Sequence, residues 1–189
     1  ASSPHIQQGG VVAADAIDED AKLFGGAAAL LIDAPSYVVM AALERPEAYF
    51  HVLPRVLAVE QRHSNDDDQS FRLTHGKGLI RASYVLRVRH EWNDTGTHVI
   101  RFWVDTRYPR DVKDAWGYFE MRPMGAEQTL LTYQVRVALL PGVVRMLFAE
   151  RIQRGLMSVP ERARQYVYRC RDQSAALTPT AGEVGHVLQ

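Results

Sequence analysis

Residues 79–104 read LIRASYVLRVRHEWNDTGTHVIRFWV. Ile80, Ala82, Tyr84, Leu86, Val88, His90 and Trp92 fall on alternate positions, with Arg81, Ser83, Arg87, Arg89 and Glu91 between them. A period of two sustained this far describes a strand with one face toward a core and one toward water. Asn93-Asp94-Thr95-Gly96 has turn composition. Beyond it Ile100, Phe102 and Val104 oppose Arg101, Trp103, Asp105 and Arg107, so a second strand returns beside the first.

The pattern extends in both directions. Upstream, VLAVEQRH (56–63) and SFRLTHGKG (70–78) read as strands around the turn SNDDDQ (64–69). Downstream, DVKDAWGYFEMRPMGAEQTLLTYQVRV (111–137) is a further pair joined by a Gly-bearing turn, which completes a meander of six strands. Before the meander, FGGAAALLIDA (24–34) reads as a first strand. Pro35 then opens a helix over SYVVMAAL (36–43), and a second short helix lies between Pro46 and Pro54.

After Pro141 the period becomes 3.6. Val144, Phe148, Ile152, Leu156, Val159, Ala163 and Val167 step by three or four along one helical stripe, which Pro160 is expected to kink or interrupt. A single domain is expected over 23–171, after an acidic, loosely ordered lead-in (1–22) and before a flexible tail (172–189).

The chain has 189 residues, enough to bury a sizeable core. Its 22 basic and 22 acidic residues cancel, so nothing points to nucleic acid as a partner. The single cysteine, Cys170, excludes an internal disulfide and a multi-cysteine zinc site. No apolar run approaches a membrane span. The opening ASSPHIQQGG fits either the mature end left by signal cleavage or a simply trimmed chain; the start leans towards an exported protein.

The order of elements, with AWGYFEMRPMGAEQTLLTYQVRV (115–137) followed by a proline-led long helix, resembles the START/Bet v 1-like (SRPBCC) superfamily. Bacterial polyketide cyclase/dehydrase and lipid-transport-type proteins are the nearest kind, and the resemblance covers Phe24 to Arg171. It implies an α+β helix-grip fold: a curved, seven-stranded antiparallel sheet and two short helices, with the last helix over a hydrophobic cavity. It also implies either binding and transport of a lipid, isoprenoid or polyketide-like molecule, or an aromatase/cyclase-type reaction on a polyketide-like substrate. A packed interaction domain without a ligand is the third reading.

On that fold the ligand is expected to meet Tyr84, Leu86, Val88, His90, Phe102, Val104, Gly117, Phe119, Met121, Tyr133 and Val135 of the sheet. Phe148, Ile152 and Leu156 face them from the helix. Tyr84, His90 and Tyr133 supply the polar contacts, Tyr84 through its hydroxyl to a ligand carbonyl, and His51 is placed near the cavity mouth. His90 and Asp114 are the candidates for moving protons. Alternation nevertheless sets Asp114, Trp116, Tyr118 and Glu120 opposite Ala115, Gly117, Phe119 and Met121, which puts both acids on the wet side. A bulge near Gly117 would turn Trp116 inward.

No nucleophile elbow, Walker loop, dinucleotide fingerprint or H-E-x-x-H is present, and NDDDQ lacks the Gly and Glu of a calcium loop. His63, His75 and His98 show no metal-ligand spacing, so neither metal nor cofactor is expected. Arg87, Arg89, Arg101 and Arg107 are read as an outer face paired with Glu91 and Asp105. Between Gly142 and Arg171, seven arginines (145, 151, 154, 162, 164, 169 and 171) stand against Glu150 and Glu161. They form either a solvated basic face or a contact for an anionic membrane surface.

Overall fold

The computed structural model describes residues 12–15, 23–65, 68–77, 80–139 and 143–177. In chain order the elements are β1 (Val12–Asp15), β2 (Leu23–Ile32), α1 (Ser36–Leu43), α2 (Ala48–Val52), β3 (Val56–Ser64), β4 (Asp68–Lys77), β5 (Ile80–Trp92), β6 (His98–Val104), β7 (Val112–Pro123), β8 (Thr129–Leu139), α3 (Val143–Met157) and α4 (Val159–Leu177). The strands form one curved antiparallel sheet in the order β1-β2-β8-β7-β6-β5-β4-β3.

The seven expected strands are present, and β1 joins them from within the segment read as a lead-in. Its Val12, Ala13 and Ala14 pair with Ala29, Ala28 and Ala27, covering hydrogen-bonding groups that β2 would otherwise expose at a sheet edge. The rest of that segment, and the tail beyond Leu177, lie outside the described residues. At the other end α4 runs past the expected boundary at Arg171 to Leu177.

Register fixes what the inner face carries. His90, Ile100, Phe119, Tyr133 and Ala28 form one row across β5, β6, β7, β8 and β2. Val88, Phe102, Gly117, Val135 and Gly26 form the next, and Trp92, His98, Met121, Leu131 and Leu30 the third. On the outer face Trp103 lies opposite Trp116, with the Arg87 and Arg89 guanidinium carbons 5.7 and 5.6 Å from the Trp103 ring centre. Arg101 bonds Glu91 at 2.8 and 2.9 Å and lies 5.9 Å over Tyr118.

Trp116 itself remains outside, at 44% exposure. The bulge of β7 falls between Val112 and Asp114, too early to turn Trp116 inward.

Asp105 departs from the expected solvated face. The strand ends at Val104, and the turn buries Asp105 while Arg107 folds back to bond it at 2.9 and 2.6 Å. The Arg107 hydrogen bond holds the Asp105 carboxyl down at about 2. A depressed carboxyl stabilises the fold above its unfolded value near ~3.9 and loses that contribution as pH falls toward the folded value. Thermal melts should therefore show a loss between about pH 4 and pH 2 that Asp105→Asn abolishes; an unchanged acid profile in the variant would dismiss the linkage.

The helices close the inner face. α4 buries Val159, Ala163, Tyr166 and Val167 against α1, α2, β2 and β8. The expected interruption by Pro160 is a break at Ser158, which leaves Pro160 in the first turn of α4, where no amide hydrogen is needed. Gln153 of α3 accepts from the Gly25 amide at 2.8 Å and donates to the Gly25 carbonyl at 2.8 Å. Asp33 ties the corner after β2: its amide donates to the Tyr168 hydroxyl at 3.1 Å, and its carbonyl accepts from Arg171 at 2.8 Å. Among the described residues no helix is long and apolar enough to cross a membrane.

Candidate functional site

Most of the inner face is core. Leu86, Val88, Val104, Phe119, Met121, Tyr133 and Val135 are all buried, and Phe119 and Tyr133 pack at 4.9 Å between ring centres. Tyr84 and Phe102 stand on the same face of interior strands, yet both are only partly buried. From α3, Ile152 and Leu156 are also partly exposed. Large apolar side chains on a covered sheet face keep residual exposure only where the cover is incomplete.

Gly117 sits directly under Phe102. A Cβ built there would lie 2.6 Å from the tip of the Phe102 ring, so that ring fills the gap left by the missing side chain.

Tyr84 is held by a neighbour the sequence spacing left unpaired. Its hydroxyl is 2.9 Å from His75 Nε2, and His75 Nδ1 is 2.8 Å from the Pro54 carbonyl oxygen. A carbonyl only accepts, so Nδ1 carries the proton and Nε2 of the neutral ring accepts the Tyr84 O–H. Burial lowers the His75 pKa, with the Pro54 hydrogen bond opposing, and burial pushes Tyr84 well above the usual phenol range. The pair is therefore neutral near pH 7. With its O–H donated to His75, the Tyr84 oxygen keeps lone pairs free to accept a hydrogen bond.

The second polar group lies at the end of the β5–β6 hairpin. His90 and His98 are 7% and 1% exposed, with ring centres 5.5 Å apart. His90 Nδ1 lies 3.4 Å from Glu44 Oε1, and Glu44 is the residue that closes α1. Burial, reinforced by His90, lowers the His98 pKa to about 4. Trp92 lies flat on the His98 ring, with centres 4.0 Å apart and planes 13° from parallel.

No protein-family model matches the sequence, and no curated protein matches it. Solved structures do match. A STAR-related lipid transfer protein from Xanthomonas axonopodis superposes with a TM-score of 0.69 at 17% identity, over 86% of this chain and 96% of that one. Human STARD10 gives 0.71 at 11% identity, over 92% and 75%. The Zhui aromatase/cyclase from Streptomyces sp. R1128 gives 0.63 at 14% identity, over 86% and 99%. The chain has the START/Bet v 1-like helix-grip fold.

Within this helix-grip domain the expected residues divide. The sheet residues named from alternation share the inner face, and Ile152 and Leu156 stand on α3; the Phe148 side chain lies outside the described residues. Asp114 is exposed on the outer face, which removes it as a proton carrier for anything held inside. His51, placed near a cavity mouth, stacks on Tyr166 at 4.9 Å and so joins α2 to α4.

Several of the helix arginines make defined ties among the described residues. Arg164 pairs with Glu161 at 2.6 Å, Arg169 lies 5.8 Å over Tyr166, and Arg171 bonds Asp33. Sequence reasoning missed His75 and Glu44 as partners. Pairing of Leu73 with Tyr84 puts His75 two residues along the same face, and that register was the available signal for the first.

Proposed function

We propose that this domain binds an apolar small molecule of lipid, isoprenoid or polyketide-like character between the inner sheet face and the helices, and carries it. The observation behind the reading is the incomplete cover over Tyr84, Phe102, Ile152 and Leu156. Ligand apolar surface contributes about 25 cal/mol per Å² on burial, and a few hundred Å² supplies several kcal/mol before ordering losses. Tyr84, locked as an acceptor by His75, selects a ligand bearing a hydroxyl. The Xanthomonas neighbour is a lipid transfer protein and the Streptomyces neighbour an aromatase/cyclase, and both support a ligand held within this fold. Collection or release at an anionic bilayer would use the exposed Arg151 and Arg154 of α3.

The Tyr84–His75 contact favours a second reading, an aromatase/cyclase-type enzyme. There Tyr84, oriented by its hydrogen bond to His75, would hold the substrate by accepting from an enol hydroxyl.

Native mass spectrometry of the purified protein should reveal a co-purifying apolar compound, and fluorescent sterol or fatty-acid analogues should bind. Tyr84→Phe should weaken a hydroxylated analogue about tenfold and spare its deoxy counterpart. Protein that emerges ligand-free and ignores every analogue would refute the carrier. Turnover of a poly-β-ketone substrate that Tyr84→Phe abolishes would establish the enzyme instead.

A further inference from the structure

We propose that Glu44, His90 and His98 bind one divalent transition-metal ion of the zinc type. Two imidazoles and a carboxylate are the donor set of three-ligand sites that leave a position open to water. One ligand atom from each residue can be chosen so that all three lie within 4.8 Å of one another. The 3.4 Å between His90 Nδ1 and Glu44 Oε1 is long for a charge-assisted hydrogen bond. Two tetrahedral metal bonds of about 2.1 Å place their donor atoms about 3.4 Å apart, so this pair already has the spacing of a shared ion. A modest rotation of the third side chain completes the set.

His98 carries the inference further. It is 1% exposed, and neither ring nitrogen has a hydrogen-bond partner among the described residues. An imidazole buried without a partner loses hydration for nothing, whereas a bond to a metal ion restores it.

The placement is rigid. His90 and His98 project from paired strands onto one face, at the rows His90–Ile100 and Trp92–His98. The Asn93 side chain closes the hairpin between them, accepting from the Thr95 and Thr97 amides at 3.1 and 2.9 Å. Trp92 fixes the His98 ring plane. The Glu44 side chain is 34% exposed, which gives an ion a route in and leaves room for water as the remaining ligands.

The test uses the full chain, stripped with a chelator and titrated with Co(II). Visible absorption bands of four- or five-coordinate cobalt should saturate at one equivalent and collapse when Zn(II) is added. Binding should quench Trp92 fluorescence, and Trp92→Phe should remove the quenching while keeping the absorption bands. Glu44→Gln, at a half-open position that does not threaten folding, should weaken binding at least ~100-fold; His98→Gln should do the same, and His63→Gln should do nothing. A wild-type chain that shows only hydrated cobalt overturns the proposal. So does a Glu44→Gln variant that binds as tightly as wild type, since the ion would then sit elsewhere.

Discussion

Gly117→Ala should lower the unfolding free energy by about 3 kcal/mol, a drop near 10 °C in Tm for a chain of this size. The added methyl meets the Phe102 ring at 2.6 Å on one side and the Gln134 backbone carbonyl on the other. A ring can rotate away. A carbonyl in the β7–β8 ladder cannot move without breaking the pairing that holds both strands in register. Phe102→Ala introduced into Gly117→Ala should therefore recover little, although it removes half of the clash. Chemical denaturation of the two variants decides this. A Gly117→Ala chain within 1 kcal/mol of wild type (about fivefold in the folding equilibrium) would mean that the sheet relaxes there. Loss at this position is a loss of fold, so Gly117 variants are poor reporters of ligand binding.

Gln153→Ala should cost about 2–4 kcal/mol, from one buried donor and one buried acceptor of Gly25 left without partners. No other side chain can take over easily, because a Cβ on Gly25 would fall on the Val135 carbonyl and the backbone there cannot be rebuilt around a substitute. Gln153→Glu separates this pairing from mere volume. A carboxylate keeps the bond from the Gly25 amide but confronts the Gly25 carbonyl, so its folded pKa is raised. The stability it contributes is then present below the unfolded value near ~4.3 and is lost as pH rises through the folded value. Gln153→Glu should accordingly approach wild type at acid pH and fall below Gln153→Ala near neutrality. Denaturation of both variants at pH 4 and pH 7 would show the crossing; parallel curves would leave Gln153 as packing only. Amide exchange at Gly25 should quicken in either variant.

These two positions mark different degrees of legibility. Gly117 was visible in the sequence as a small residue among aromatics on a face fixed by alternation. Only the register against β6 shows that Phe102 occupies the gap. Gln153 was not legible at all, because its partner is a backbone unit 128 residues away. Asp105 was misplaced for a related reason: alternation continues on paper past Val104, whereas the chain leaves the sheet there and turns the carboxyl inward to Arg107.

The polar sites follow the same rule. His90 was placed on the inner face by its period. His98 lies eight positions on, across a turn, at no spacing that a linear motif recognises. Pairing across the hairpin puts the two on one face, and the end of α1 adds Glu44. Likewise Tyr84 was legible as inward, but the acceptor character of its oxygen depends on His75, whose tautomer is set by the Pro54 carbonyl.

Periodicity and punctuation by themselves determined the order of β2 to β8 and the helices, the two faces of the meander strands up to Val104, and the break near Pro160, because these depend on residues close in sequence. Tertiary structure alone decided which inward side chains are filled core and which keep an open surface. It also decided which polar groups meet, since register and helix docking bring together residues whose separation in the chain carries no trace of their contact.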